Sequence, residues 1–322
     1  MYFPYLRGRQ YELLSLLDLV NKGLLGNYVV PIVEPVSLSP TLVNVIEAFI
    51  KASRPRIVIR NPGVGAFEVD MQSAKVEERS GSYKQRFLTS IDNPQVWKAL
   101  IMKEGAVNWL SEWLEKGIKK SEIVIINESR DHFSDFETFF GTESPRYVLI
   151  PDEGFFRRKI LIKRILFDDK FEKKYRNADY LQKDDEFFSE DHLIYQDDNY
   201  EGFSDFSIVG NEYTDSGFAP YAVAIHLVYF DENRILRVHH FVSDTNEDIS
   251  DPAKKFFEAV TKLASWYRAN KEKFHIKETE GLKGFLRCFE DRSYPGLGTV
   301  KKWSLMHHFE IMADYLVESR KN

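Results

Sequence analysis

Residues able to do chemistry recur where short apolar runs end. Glu34 follows the run 28–33, Arg60 and Asn61 follow 56–59, and Asn127 with Glu128 follow 123–126. Asp152 comes after 147–150, Asp168 after 160–167, and Asp205 lies within 203–209, while Arg7 and Arg9 follow 3–6. Carboxylates and cations gathered at one partly dry rim shift each other's proton affinities, which is the physical basis of acid–base work and of metal binding. On this reading Glu34, Asp168 and Asp205 are catalytic candidates, and Arg7, Arg9, Arg60, Asn61 and Asn127 bind ligand. The competing reading is that polar residues follow strands because loops face water. A true site predicts that alanine at Glu34 or Asp205 abolishes function and leaves the melting temperature nearly unchanged.

Two further patterns bear on chemistry. Pro151-Asp152 followed by Asp168-Asp169-Lys170 matches the short P-D…(D/E)-x-K pattern of many nucleases. There, two carboxylates on adjacent strand ends hold Mg²⁺ beside a lysine-activated water. His226 sits inside an apolar strand and is the expected buried histidine and a catalytic candidate. The adjacent pairs His239-His240 and His307-His308 point in different directions and do not chelate one metal easily. His307 and Glu310, three apart on a helix, could share a face. No phosphate-binding P-loop, dinucleotide fingerprint, H-E-x-x-H or paired C-x-x-C occurs, so ATPase, Rossmann dehydrogenase and zinc-ribbon readings drop out. Gly63 and Gly65 after the third strand read first as a turn.

The elements that must position these residues follow from the apolar pattern. The runs starting near 3, 29, 56, 122, 146, 159, 203 and 222 read as strands, and the continuous ones suit a parallel sheet buried on both faces. Ser39-Pro40, Asn93-Pro94 and Asp251-Pro252 each place a capping side chain before a proline, predicting helices that start there. Eight strands, with early spacings near 25 residues, point to an α/β fold, a distorted (β/α)₈ TIM-like barrel with insertions. An open α/β sheet with an antiparallel hairpin is the alternative. The short gap after residue 150 reads as a hairpin, as do 221–230 and 235–242 joined by Asp231–Arg234. Residues 62–92 and 168–202 read as insertions within one domain spanning 1–322.

Composition narrows the class. The 322 residues carry a net charge of −6 and 43% hydrophobic residues, which excludes a disordered or disulfide-scaffold chain. The single Cys288 cannot form an intramolecular bridge, so a reducing, cytoplasmic setting is expected. The start of the chain does not read as a secretory signal, and the longest apolar run, 221–230, is too short to cross a bilayer. The acidic balance argues against broad nucleic-acid binding. Arg157-Arg158-Lys159 with Lys163-Arg164 leaves a local basic patch open.

Several stretches suggest kinship. Met1-Tyr2-Phe3-Pro4-Tyr5-Leu6-Arg7-Gly8-Arg9-Gln10, Pro31-Ile32-Val33-Glu34-Pro35, Arg176-Asn177-Ala178-Asp179-Tyr180 and Gly202-Phe203-Ser204-Asp205-Phe206 are four of them. Ala222-Val223-Ala224-Ile225-His226, His240-Phe241-Val242-Ser243-Asp244 and Lys301-Lys302-Trp303-Ser304-Leu305-Met306-His307-His308 are three more. Together the chain resembles the phage-type "beta family" proteins and a bacterial relative of them. The resemblance implies a product of mobile elements or anti-phage defence neighbourhoods, encoded beside a second small protein that would be its partner. It also brings Lys302 and His308 into the ligand-binding set and strengthens His226. Two functions follow as expectations: a ligand-recognising barrel acting with a partner protein, or a metal-dependent hydrolase (a phosphodiesterase or nuclease) using Mg²⁺ at the barrel mouth.

Overall fold

The computed structural model describes residues 1–214 and 220–320, apart from the side chains of 74–82. The chain forms two compact units: Met1–Leu13, Val29–Asp168 and Asp191–Asp205 make the first, and Leu14–Tyr28, Asp169–Glu190 and Phe206–Asn322 the second. In chain order, β1 (Tyr5–Leu6), α1 (Gln10–Asn21), β2 (Ile32–Val33), α2 (Pro40–Lys51) and β3 (Arg56–Ile59) come first. Helices α3 (Phe67–Gln72) and α4 (Ala74–Ile91) lead to β4 (Val96–Ile101), and α5 (Ala106–Glu115) leads to β5 (Val124–Ile126). Helix α6 (Phe133–Phe140) then leads to β6 (Tyr147–Ile150), and α7 (Gly154–Lys159) to β7 (Arg164–Phe167). Next are β8 (Asp185–Ser189), α8 (Asp191–Ile194), β9 (Gly202–Ser204), β10 (Ala224–Phe230) and β11 (Leu236–Val242). Three helices finish the chain: α9 (Pro252–Asn270), α10 (Glu280–Asp291) and α11 (Leu297–Glu318).

The first unit is an α/β barrel of the (β/α)₈ type. Its strands run parallel in the order β1-β2-β3-β4-β5-β6-β7-β9. The Phe3 and Tyr5 N–H groups donate to the Phe203 and Asp205 carbonyls at 2.8 Å each, drawing β9 back to β1 into a nearly closed ring. Closure needs a glycine there. A Cβ at Gly202 would stand 2.5 Å from the Met1 carbonyl oxygen and 2.7 Å from the Phe3 ring.

Three sequence expectations are corrected here. Asn93-Pro94 does not start a helix: the Gln95 N–H donates to the Asn93 side chain at 2.9 Å, a turn that feeds β4. The true crossover helix is α4, within the segment taken for an insertion, where its polar sequence hides the face that buries Phe87 and Ile91. Nor do the runs on either side of residues 151–159 form a hairpin. β6 and β7 are parallel, with Val148 opposite Arg164, and residues 151–163, carrying the short α7, are enough for the crossover. The helix starts at Ser39 and Asp251 are as expected, each side chain accepting a backbone N–H in the first turn.

The run 221–230 is not a barrel strand. It forms β10 in a three-stranded antiparallel sheet of order β10-β11-β8 in the second unit, and the 221–230/235–242 hairpin is present as expected. Helices α9 and α10 bury Phe256, Val260, Leu263, Leu282 and Phe285 against Ile225, Leu227 and Phe241. Burial of apolar side chains on this scale is what holds such a layer together. α10 can approach α11 closely because Gly284 has no side chain: a Cβ there would lie 2.6 Å from the Trp303 ring. Among the described residues no helix is long and apolar enough to cross a membrane.

Candidate functional site

Strand side chains alternate between the barrel interior and the helix layer, so register decides which strand-end groups share the mouth. Tyr5 pairs with Ile32, Ile32 with Ile57, and Ala99 with Val124. This puts Tyr5, Ile32, Ile57, Ala99 and Val124 on one face. Ring contacts identify that face as the interior: Tyr5 stacks on Phe167 at 5.2 Å, and Phe3 and Trp97 both meet Tyr147. Counting on by twos, Arg7, Glu34 and Glu128 point to the mouth.

Glu34 is fully buried there. Its carboxylate accepts hydrogen bonds from the Tyr5 hydroxyl at 2.7 Å and from the Gly63 N–H at 2.7 Å, and it is ion-paired with Arg7. The Gly63 turn therefore serves a protein carboxylate rather than a phosphate. Burial opposes the Arg7 charge, but Glu34, Tyr5 and Glu128 together hold the guanidinium above its ordinary pKa. Burial, and then the Glu34 charge, raise the Glu128 carboxyl above the usual range, with Arg7 pulling the other way. Glu128 keeps solvent access at the rim although protein crowds its carboxyl group.

The other strand-end candidates are placed differently. Arg60 lies over the Phe87 and Trp109 rings in the helix layer. Asp205 is on the outer face, where it accepts the Tyr2 hydroxyl at 2.9 Å and where Tyr2 stacks on Phe203. Alternation puts Asn127 and Asp168 outside as well. Asn127 is fully buried, and among the described residues neither polar atom of its side chain has a hydrogen-bond partner. Asn61 shares the parity of the mouth set, but its amide extends the β4 ladder, donating to the Ile101 carbonyl and accepting its N–H. The Arg9 N–H reaches Glu12 at the start of α1. The Asp152 and Asp168 strand ends are adjacent, but Asp152 pairs with Arg157 at the surface. The basic patch is largely spent within the unit: Lys159 meets Glu137, Lys163 meets Glu201, and Arg164 donates to four backbone carbonyls.

Lys302, His226 and His308 belong to the second unit. Lys302 pairs with Asp18 at 2.5 Å. His308 is buried, with its Nδ1 2.7 Å from the Ser207 hydroxyl and its ring against Phe188. His307 is buried between the Thr279 hydroxyl at Nδ1 and the Val228 carbonyl at Nε2, and burial lowers its pKa to about 4. Glu310 does not join it; its carboxylate accepts the Glu280 N–H. His226 is different. Its Nδ1 lies 2.8 Å from Nδ1 of His240, whose Nε2 lies 3.0 Å from a Glu186 oxygen.

Sequence reasoning missed Tyr5, Glu186 and His240. For His240 only a partial signal existed: a hairpin joined by 231–234 would set 226 opposite 239, whereas the connection is 231–235, which sets 230 opposite 236 and 226 opposite 240. Among the described residues no three His, Cys, Asp or Glu are grouped to hold a metal ion. No family model, curated protein or solved structure matches the chain.

Proposed function

We propose that the barrel is a recognition module for a small polar ligand bound at its mouth. The observation that carries this reading is the Tyr5–Arg7–Glu34–Gly63 network. The Glu34 carboxylate already accepts two hydrogen bonds and an ion pair, which suits a positioning group that fixes Arg7 rather than a proton-transfer base. Arg7 then supplies a planar donor array for an anionic or carbonyl oxygen, and Glu128 accepts from an N–H or O–H of the same ligand. We further propose, on the sequence resemblance, that the module works in the cytoplasm with a partner protein in a mobile-element or anti-phage system.

Thermal-shift titration of wild type and Glu128→Gln against nucleotides, amino acids and small amides tests the mouth. The expected result is a compound that stabilises the wild type and binds Glu128→Gln about tenfold more weakly, the effect of one charged hydrogen bond. A compound bound equally by both, or none bound by the wild type, overturns the reading. Metal-dependent phosphodiester hydrolysis by Glu34, Asp168 and Asp205 is less well supported, because alternation sends two of the three out of the mouth. Mg²⁺-dependent cleavage of DNA or RNA that Asp168→Ala abolishes would reverse that preference.

A further inference from the structure

The second unit holds a string of ionisable groups independent of the barrel mouth. Glu186 on β8, His240 on β11 and His226 on β10 are linked by contacts of 3.0 and 2.8 Å. A carboxylate can only accept, and Lys183, 3.3 Å from the other Glu186 oxygen, supports its charge. His240 Nε2 must therefore carry a hydrogen, which leaves Nδ1 of the neutral ring as an acceptor. His226 must then donate from its own Nδ1. Its Nε2 is left with a bare lone pair, and no described residue hydrogen-bonds to it. His226 is half-buried, whereas Glu186 and His240 are 5% and 3% exposed. Of the three side chains His226 has the most accessible surface, at the end of the string away from Glu186. The Tyr180 ring, 4.6 Å from His226 and 4.5 Å from His240, and the Phe171 ring, 5.1 Å from His226, hold both imidazoles in place.

We propose that Glu186–His240–His226 is a proton relay ending in a general base, His226 Nε2, for a ligand that presents an acidic O–H or N–H. In the transfer the ligand's O–H (or N–H) bond breaks, a new N–H bond forms at His226 Nε2, and the electron pair stays on the ligand. The charge gained by His226 is offset through His240 by Glu186. This is the arrangement by which a carboxylate orients an imidazole and stabilises its cation. Among the described residues the other charged and titratable groups facing the string are His239 and Asp185 beside His240, Tyr180, and Lys301 from α11. Burial, His240 and Lys301 keep His226 well below the ordinary histidine pKa, so the base stays unprotonated in mildly acidic solution.

Nitrogen-15 histidine spectra of the full chain test the tautomers, and diethylpyrocarbonate tests the lone pair. The expected spectra show His226 protonated at Nδ1 and His240 at Nε2. At pH 5.5 a free imidazole in solution is only about 10% free base, so His226 should be carbethoxylated faster than N-acetylhistidine added to the same sample. In Glu186→Gln, whose new amide can also donate, the fixed tautomers and that advantage should both be lost. A hydrogen on His226 Nε2, or labelling no faster than that of N-acetylhistidine, overturns the relay. The wild-type spectra decide the matter even if Glu186→Gln disturbs folding.

Discussion

Glu34 illustrates how a carboxylate can be essential to a site without being its reactive group. Truncating it to alanine would take the shared partner away from the Arg7 guanidinium, the Tyr5 hydroxyl and the Gly63 N–H at the barrel mouth. Removing one partner of such a buried pair costs about 3–5 kcal/mol. The expected outcome for Glu34→Ala is therefore a clear drop in the urea midpoint, with a smaller drop for Glu34→Gln; an unchanged midpoint would show that the pair is not formed. This reverses the expectation of an unchanged melting temperature drawn from the sequence. Glu128 should behave oppositely. Its folded pKa is raised, so the folded state holds the proton more tightly than the unfolded state, and the group lowers stability as pH rises above the unfolded value of about 4.3. Glu128→Gln should accordingly be more stable than wild type at pH 7, with the difference vanishing near pH 4, as thermal melts across that range would show.

At the level of elements, α11 is anchored by a buried neutral imidazole. His307 accepts from Thr279 and donates to the Val228 carbonyl, and its pKa is held down to about 4 by burial. The unfolded chain, with a pKa near 6.5, binds the extra proton first. Stability is thus fully present above about pH 6.5 and is lost as pH falls toward 4, by roughly 3 kcal/mol in all. His226 and His240 add loss of the same sign, so the useful quantity is a difference: His307→Gln should show a shallower decline than wild type between pH 6.5 and 4 in denaturant titrations. Elements also explain what was legible in the sequence. Apolar runs marked most of the barrel strands, and capping side chains marked α2 and α9. β4 was hidden because Val96 and Leu100 also fit a helical stripe that continues into α5. The mouth was half legible for a related reason. Every strand end offered a polar residue, but only ladder parity separates Glu34 and Glu128 from Asp205 and Asn127, and parity depends on where each strand starts.

Across the whole molecule, eight strands were expected and eight form the barrel, although one expected member lies elsewhere and β4 takes its place. The segment boundaries were not legible, because neither compact unit is a continuous stretch of chain. Long-range closure produces this: β9 returns to β1 from some two hundred residues away, and β8, from the middle of the chain, joins β11. The consequence for the second unit is testable. β11 is its central strand, paired with β10 on one side and β8 on the other. A fragment comprising Phe206–Asn322 lacks β8, so the free edge of β11 becomes an open hydrogen-bonding template. It also lacks Leu14–Tyr28, which supplies Asp18 to Lys302 and Lys22 to Glu280. The fragment should aggregate or give a collapsed amide spectrum. A monomeric elution together with well-dispersed amide resonances would show instead that the last segment carries the fold of its unit by itself, with β8 only an accessory strand.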